Sequence, residues 1–547
     1  MELKIRAGHL MKMIEKGSKN KIIRESIRYS SAEHKVAMAF DAFSEKEVEE
    51  LSDIADKAGD IGLVKKLSSF SKLQDDPSGA PVGRLQLLSQ AIKNTMKPLP
   101  NKWLFSEAYR DGQLCAYFVD GIRYHERSRE TPAYVRVSMS YMKQGEKANY
   151  SFTFGQEDLQ GKTPIDLLNS KGFFLEKPEL VTQYEEDMKK YMERCVLTGH
   201  QFTARGVGSS VGDSWYDRGT VAMEREGRLT KVVMDDLHHR EKKGNRADSN
   251  QEDASFWYPA KSQEELEEGE STTPMVTLPY HPLVVVFDLE KHQFVRLHVS
   301  NLEPYKWDTS LGEKLVLPEE KKNLVDMLVQ GSEVLMEDII KGKTGGVIIL
   351  ATGLPGTGKT LTAEVYSEVI KAPLYVVQCS QLGTDEEVLE KSLTGVLSRA
   401  SRWKAILLID EADVYVHERG SDIRQNAIVG VFLRVLEYYR GVLFLTSNRA
   451  TIIDDAIISR ATAHIHYELP TAEELERIWK VLAKQFKIEL APSVVAELVK
   501  KFPKISGRNV KNLLKLSSML AMKQKGKVTA KLVEYASQFL DVGDSKK

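Results

Sequence analysis

"ATGLPGTGKT", residues 351–360, decides how the second half of this chain is read. It follows "GGVIIL" (345–350), an apolar run of strand length, and precedes "LTAEVYSEVI" (361–370), whose apolar residues recur at helical spacing. From Gly353 to Thr360 the spacing is G-x-x-x-x-G-K-T, a complete P-loop. Glycine tolerates backbone conformations that a Cβ obstructs, so consecutive N–H groups turn inward on phosphate oxygens. The helix beginning near Gly358 adds its positive end. Lys359 supplies a point charge for β and γ phosphates, and the Thr360 hydroxyl suits Mg2+. The stretch Gly353, Pro355, Gly356, Thr357, Gly358, Lys359, Thr360 and Leu361 is expected to hold a nucleotide.

The residues that follow say what happens to it. "AILLIDEAD" (405–413) is an apolar strand ending in Asp410-Glu411. Acids emerging at the carboxyl end of a parallel strand lie beside the P-loop. Asp410 suits the Mg2+ shell, and Glu411 suits a general base acting on the attacking water. "GVLFLTSNR" (441–449) is a further apolar strand with Asn448 at its end, where an amide orients that water. "DDAIISRATAHIHYELP" (454–470) places Arg460 between a short helix and a strand. From there a guanidinium reaches a neighbouring subunit's nucleotide and stabilises developing phosphate charge.

"GLPGTGKT", "LLIDEAD", "TSNR" and "ISRA", in this order and spacing, resemble the AAA+ ATPase module, and more closely the AAA family proper, over about residues 311–540. The resemblance implies a P-loop αβα nucleotide domain with a C-terminal helical lid, ATP and Mg2+ as ligands, and a homo-oligomeric ring, usually a hexamer. It puts Asp410 and Glu411 at Walker B, Asn448 at sensor 1 and Arg460 at the arginine finger. Arg449 and Arg419 stand as candidate second contacts, because "SRA" resembles the single-finger form. "PTAEELERIWKVLAKQF" (470–486) opens the lid with Thr471 and Glu474 in capping-box spacing. "KISGRNVKNLLKL" (504–516) places Arg508 at a helix start, resembling a sensor 2 arginine. Members that thread protein carry an aromatic pore loop after the second strand. Here that place holds Gln381-Leu382-Gly383, so Leu382 is the residue expected to grip a chain.

Upstream, residues 1–237 read as an α+β N-terminal region, a candidate for client binding. Residues 1 to about 100 are mainly helical in pattern, with Ser44 and Glu47 in capping-box spacing. "QLCAYFVDG" (113–121) reads as a strand and "AYVRVSMSYMKQGEKANYSFTF" (133–154) as a hairpin. "RGVGSSVG" (205–212) lacks phosphate-loop spacing and reads as a flexible loop. Residues 238–274 are polar and include "EELEEGE" (264–270), a charged linker or exposed loop. His238 and His239 there read as solvated, having no cysteine partners. Residues 275–310 form a hairpin leading into the ATPase, 311–470 the nucleotide domain and 471–547 the lid.

The 547-residue chain is too long for one core and has a formal net charge of -1, which gives no global case for nucleic acid. Cys115, Cys195 and Cys379 lie too far apart for a disulfide framework or a zinc pattern. With no apolar run long enough to cross a bilayer, a cytoplasmic protein without a membrane span is expected. The function expected is Mg-dependent ATP hydrolysis in a ring, coupled to remodelling of an unidentified protein client. Two alternatives remain: a nucleic-acid loader or initiator, and a scaffold that binds ATP as a switch.

Overall fold

The computed structural model describes the chain except residues 1, 29, 33, 40–42, 61, 65–66, 68–80, 83, 109–111, 129–130, 144, 212–218, 238–256, 260–274, 332–345, 384, 420–422, 450–452, 525 and 541–547. The chain divides into two units, one of residues 1–198 and 202–304, the other of 199–201 and 305–547. His238, His239 and nearly all of the charged 238–274 segment lie outside the described residues.

The first unit is α+β. Its five-stranded antiparallel sheet runs Glu146–Phe154, Tyr134–Lys143, Leu114–His125, Trp103–Glu107 and Phe173–Leu175, and contains the strand and hairpin expected from alternation. Helix Leu85–Met96 packs Leu88, Ile92 and Met96 into the same core as Val135, Val137 and Met139. Helix Glu45–Lys57 starts as expected, Glu47 accepting from both the backbone N–H and the hydroxyl of Ser44.

Alongside its helices, the N-terminal stretch has a strand pair, Glu2–Arg6 antiparallel to Lys35–Ala39. Two expectations are corrected here. The "RGVGSSVG" segment contains a strand, Val207–Ser210, paired with Val295 and Arg296. A Cβ on Gly208 would lie 2.6 Å from the Arg296 carbonyl oxygen, so that glycine serves close packing rather than mobility. Finally, the 275–310 hairpin does not stand between the units. All six residues of Leu283–Asp288 are buried, so the strand needs partners on both sides. Gln293–His298 supplies one and Arg228–Met234 the other, which places the hairpin inside the first unit.

The second unit begins with two helices, α1 (Leu311–Lys314) and α2 (Glu319–Gln330). Then come β1 (Val347–Gly353), α3 (Lys359–Val369), β2 (Leu374–Gln378), α4 (Cys379–Leu382), α5 (Glu386–Arg402) and β3 (Ile406–Asp410). They are followed by α6 (Asp413–Val416), α7 (Ile423–Leu436), β4 (Val442–Ser447), α8 (Asp455–Arg460) and β5 (Ala463–Tyr467). The five strands form one parallel sheet in the order β2-β3-β4-β1-β5. Every residue of β1 and β4 is buried, the pattern of strands covered by helices on both faces.

A separate helical core follows, made of α9 (Ala472–Gln485), α10 (Pro492–Lys501), α11 (Gly507–Lys523) and α12 (Ala530–Ser537). Trp479, Leu498, Leu513, Leu514 and Val533 are buried together. At the start of α9, Thr471 and Glu474 exchange the capping-box hydrogen bonds, satisfying two N–H groups that the helix leaves open. Among the described residues, no helix is long and apolar enough to cross a membrane.

Candidate functional site

The loop between β1 and α3 is shaped by what approaches it. Gly353 sits at φ 140°, and a Cβ there would come within 2.1 Å of the Tyr467 carbonyl oxygen on β5. Gly356, at φ 79°, faces the start of α11, where a Cβ would lie 2.7 Å from the Arg508 Cβ. The sheet edge and the helical lid thus both close on the loop at positions that exclude a side chain. The Arg508 N–H donates to the Gly356 carbonyl at 3.3 Å, so the expected sensor 2 residue lies against the loop. Thr357 Oγ1 donates to the Leu354 carbonyl at 2.8 Å, and Pro355 and Leu361 are exposed beside it.

Lys359, only 7% exposed, donates through Nζ to the carbonyls of Gly353 (2.7 Å) and Leu354 (2.8 Å). Burial holds its pKa below the ordinary lysine value; Asp410 opposes that shift and the Arg508 guanidinium adds to it. Lysine and arginine converge on one loop and repel each other, an arrangement that favours a polyanion between them.

The acids are organised by a residue that sequence reasoning passed over. Asp410, at the end of β3, accepts hydrogen bonds on Oδ1 from Thr360 Oγ1 (2.9 Å) and from Thr446 Oγ1 on β4 (2.5 Å). The Glu411 N–H donates to the same Thr446 oxygen at 2.9 Å. One hydroxyl therefore joins both acids of the pair. Glu411 is exposed and has φ 55°, the left-handed region, which turns its side chain away from the line of β3. Asp413, also unassigned from sequence, accepts from Ser447 Oγ (2.5 Å) and from the N–H of Asn448 (3.1 Å), fixing the backbone that carries Asn448. Cys379 lies 3.0 Å from the Glu411 carbonyl oxygen; burial, then Asp413, Glu411 and Asp410, push its thiol up to about 12, so it stays protonated. Paired hydroxyl and carboxylate oxygens at Thr360 and Asp410 are the hard donors Mg2+ takes, and the loop of N–H groups beside Lys359 fits a triphosphate.

The structure therefore brings Lys359, Thr360, Asp410, Glu411, Asn448 and Arg508 to one end of the sheet. Arg460 is placed differently. It ends α8, 37% exposed at its side chain, 3.9 Å from Glu437 and 3.4 Å from the Ala456 carbonyl. Of the candidate second contacts, Arg419 donates through Nε (2.7 Å) and Nη2 (3.2 Å) to Asp454, the residue that caps α8. Arg449 is exposed, its N–H bonded to Ser447 Oγ at 3.0 Å.

The expectation for Leu382 is overturned. It belongs to α4 and is 1% exposed, so it offers no surface to a polypeptide. The turn after it is pinned by Tyr415, whose hydroxyl donates to the carbonyls of Cys379 (3.0 Å) and Gly383 (2.8 Å). An apolar residue in that turn is drawn into the core because nothing else there covers it.

Comparison with known proteins converges on this half of the chain. Residues 349–469 match the family described as "ATPase family associated with various cellular activities (AAA)". Fidgetin-like protein 1 of Drosophila melanogaster is 30% identical over 187 residues, 32% of this chain and 35% of that protein. ATPase family AAA domain-containing protein FIGL1 of Arabidopsis thaliana is 28% identical over 246 residues, covering 41% and 34%. ATP-dependent zinc metalloprotease FtsH of Mycoplasmopsis synoviae is 30% identical over 193 residues, covering 33% and 29%. The chain spans about a third of the length of these curated relatives.

Proposed function

With residues 349–469 an AAA-family ATPase domain, we propose that this chain hydrolyses ATP with Mg2+ in a homo-oligomeric ring and uses the cycle to remodel a protein client. The observation that carries the reading is the hydrogen-bonded set Thr360–Asp410–Thr446–Glu411 beside the buried Lys359. Lys359 and the loop N–H groups bind the β and γ phosphates. Thr360 and Asp410 would hold Mg2+, which would supply positive charge against the phosphates. Glu411 polarises the attacking water, and Asn448 orients it. Arg508 reports lid closure on the γ-phosphate, and Arg460, on an exposed helix end, serves the neighbour's nucleotide.

The client side of the reading rests on the first unit, which no step of hydrolysis requires. Buried Leu382 favours a ring that rearranges its client through that unit over one that grips a threaded chain. The setting proposed is cytoplasmic, where Cys115, Cys195 and Cys379 stay as thiols. Glu411→Gln tests the chemistry: it should bind ATP as the wild type does and turn it over at least a hundredfold more slowly, roughly what loss of a general base removes. Near-normal turnover in that variant would remove Glu411 as the base. Proteins trapped by the same variant with ATP identify the client.

A further inference from the structure

The five-stranded sheet of the first unit carries a polar end that nucleotide hydrolysis does not use. Where Leu114–His125 gives way to Tyr134–Lys143, His125 pairs with Tyr134 and Arg123 with Arg136. The Tyr134 and His125 rings stack with centroids 4.6 Å apart. The Arg136 guanidinium lies 5.4 Å from the Tyr134 centroid and donates to its hydroxyl at 3.3 Å. Beside this cluster runs a groove of about 1090 Å³, walled by Arg84, Arg127, Arg136, Tyr124, Tyr134 and Lys171.

The charges in that groove are not balanced internally. Asp158 takes Lys171 at 3.2 Å. Arg84, Arg127 and Arg136 are exposed and have no carboxylate partner among the described residues. Arg84 also stands at the N-cap of Leu85–Met96, a twelve-residue helix with no acid in its first turn, so the helix end adds to the positive field. In a chain of net charge -1, three unmatched guanidiniums around one groove are a local excess that whole-chain composition hides.

We propose that this groove binds an acidic, extended segment of polypeptide, a stretch of client in which glutamates or aspartates are interspersed with uncharged residues; the assignment of that segment to a client rests on the remodelling reading above. Guanidinium forks match carboxylates with two parallel hydrogen bonds, and three of them along a groove read a spaced series of acids. Two observations favour peptide over nucleic acid. The Tyr134 ring is already engaged by His125 and Arg136, so it is not a free platform for a base. Glu157 also lines the groove, and it would repel an unbroken run of phosphates while leaving room for an uncharged residue.

The experiment uses the full chain and fluorescence anisotropy. The probes are a labelled glutamate-and-serine peptide, the same peptide with every glutamate replaced by serine, and oligothymidylate of matched length. The glutamate peptide should bind, weaken with added salt, and lose roughly tenfold in affinity for each of Arg84→Glu and Arg127→Glu. Lys189→Glu, the same charge change on an exposed position of helix Pro178–Arg194, should leave binding unchanged. Lys359→Ala should also retain it, which separates this site from the nucleotide reading. Equal binding of both peptides, equal weakening by Lys189→Glu, or groove-dependent binding of oligothymidylate in preference to the peptide would each overturn the proposal.

Discussion

Asp454 is the position where one substitution should reveal how the helix that ends in Arg460 is held. Its carboxylate accepts from the Ala456 N–H at 2.9 Å as the cap of α8, and from Arg419 through Nε, Nη2 and the backbone N–H. Its own N–H donates to the Val416 carbonyl at 2.9 Å, and His417 bridges Ile453. The loop after Glu411 is thus tied to the base of the helix that ends in Arg460. Burial alone would raise the Asp454 pKa; hydrogen bonds from Arg419 and then Ala456 outweigh it and hold the carboxyl below its ordinary value. Asp454→Ala removes a cap worth about 1 kcal/mol together with the bonds to the exposed Arg419, which solvent screens, so a loss of somewhat more than about 1 kcal/mol is expected. Asp454→Asn keeps a capping oxygen and loses the charge, for a loss of about 1 kcal/mol.

Urea unfolding measures those losses, and the ATPase rate at a protein concentration that ensures assembly measures the rest. If the clamp positions Arg460, Asp454→Asn and Arg419→Ala should both lower turnover by roughly tenfold, the equivalent of about 1.4 kcal/mol, at unchanged KM. If Arg419 instead touched nucleotide itself, freeing it from Asp454 would not mimic its removal. Wild-type turnover in an Asp454→Asn protein of measurably lower stability would refute the clamp. The sign of the pH dependence follows from a depressed carboxyl. The stabilisation from Asp454 is full above its unfolded value of about 4 and disappears as pH falls through the lower folded value.

Three further outcomes can be checked. Mixing Arg460→Ala subunits, which keep a pocket, with Lys359→Ala subunits, which keep a finger, should recover part of the hydrolysis; a mixture as inactive as either variant, with assembly confirmed by sedimentation, would remove action between subunits. Leu382→Ala should cost about 2–5 kcal/mol in urea unfolding, as expected for emptying a core position; an unchanged midpoint would show that the side chain is not packed. His281 is buried, 3.0 Å from the Ala116 carbonyl, and burial pushes its pKa down to about 3. Unfolding lets it take up a proton, so the first unit should lose stability as pH falls below about 6.5, with the loss continuing towards the folded value. His281→Asn should flatten that part of the profile, and an unchanged profile would rule the residue out as its source.

The nucleotide loop was legible because its requirements are local. Gly353, Gly356, Lys359 and Thr360 act within one turn between a strand and a helix, so spacing alone carries the chemistry. The Thr471–Glu474 cap was legible for the same reason. Thr446 was not, because its role exists only once β4 lies against β3 and sets its hydroxyl between Asp410 and Glu411. Arg419 read as a candidate second contact to nucleotide, and its partner Asp454, 35 residues on, is seen only once the fold brings the two together. Leu283–Asp288 was recognised as one strand of a hairpin, and it does pair with Gln293–His298; its second partner, Arg228–Met234, was not foreseen because it lies far back in the chain. Local pattern identifies an element; it does not name what the element pairs with.

Glu411 adopts a backbone conformation that costs an ordinary residue about 1–2 kcal/mol and costs glycine nothing comparable. Selection for thermal tolerance alone would therefore push this position towards glycine, and the fold would gain from the change. The carboxylate would be lost in the same step. Position 411 is thus a site where durability and turnover compete for one codon, and libraries screened only by heat should accumulate hardier, inactive protein.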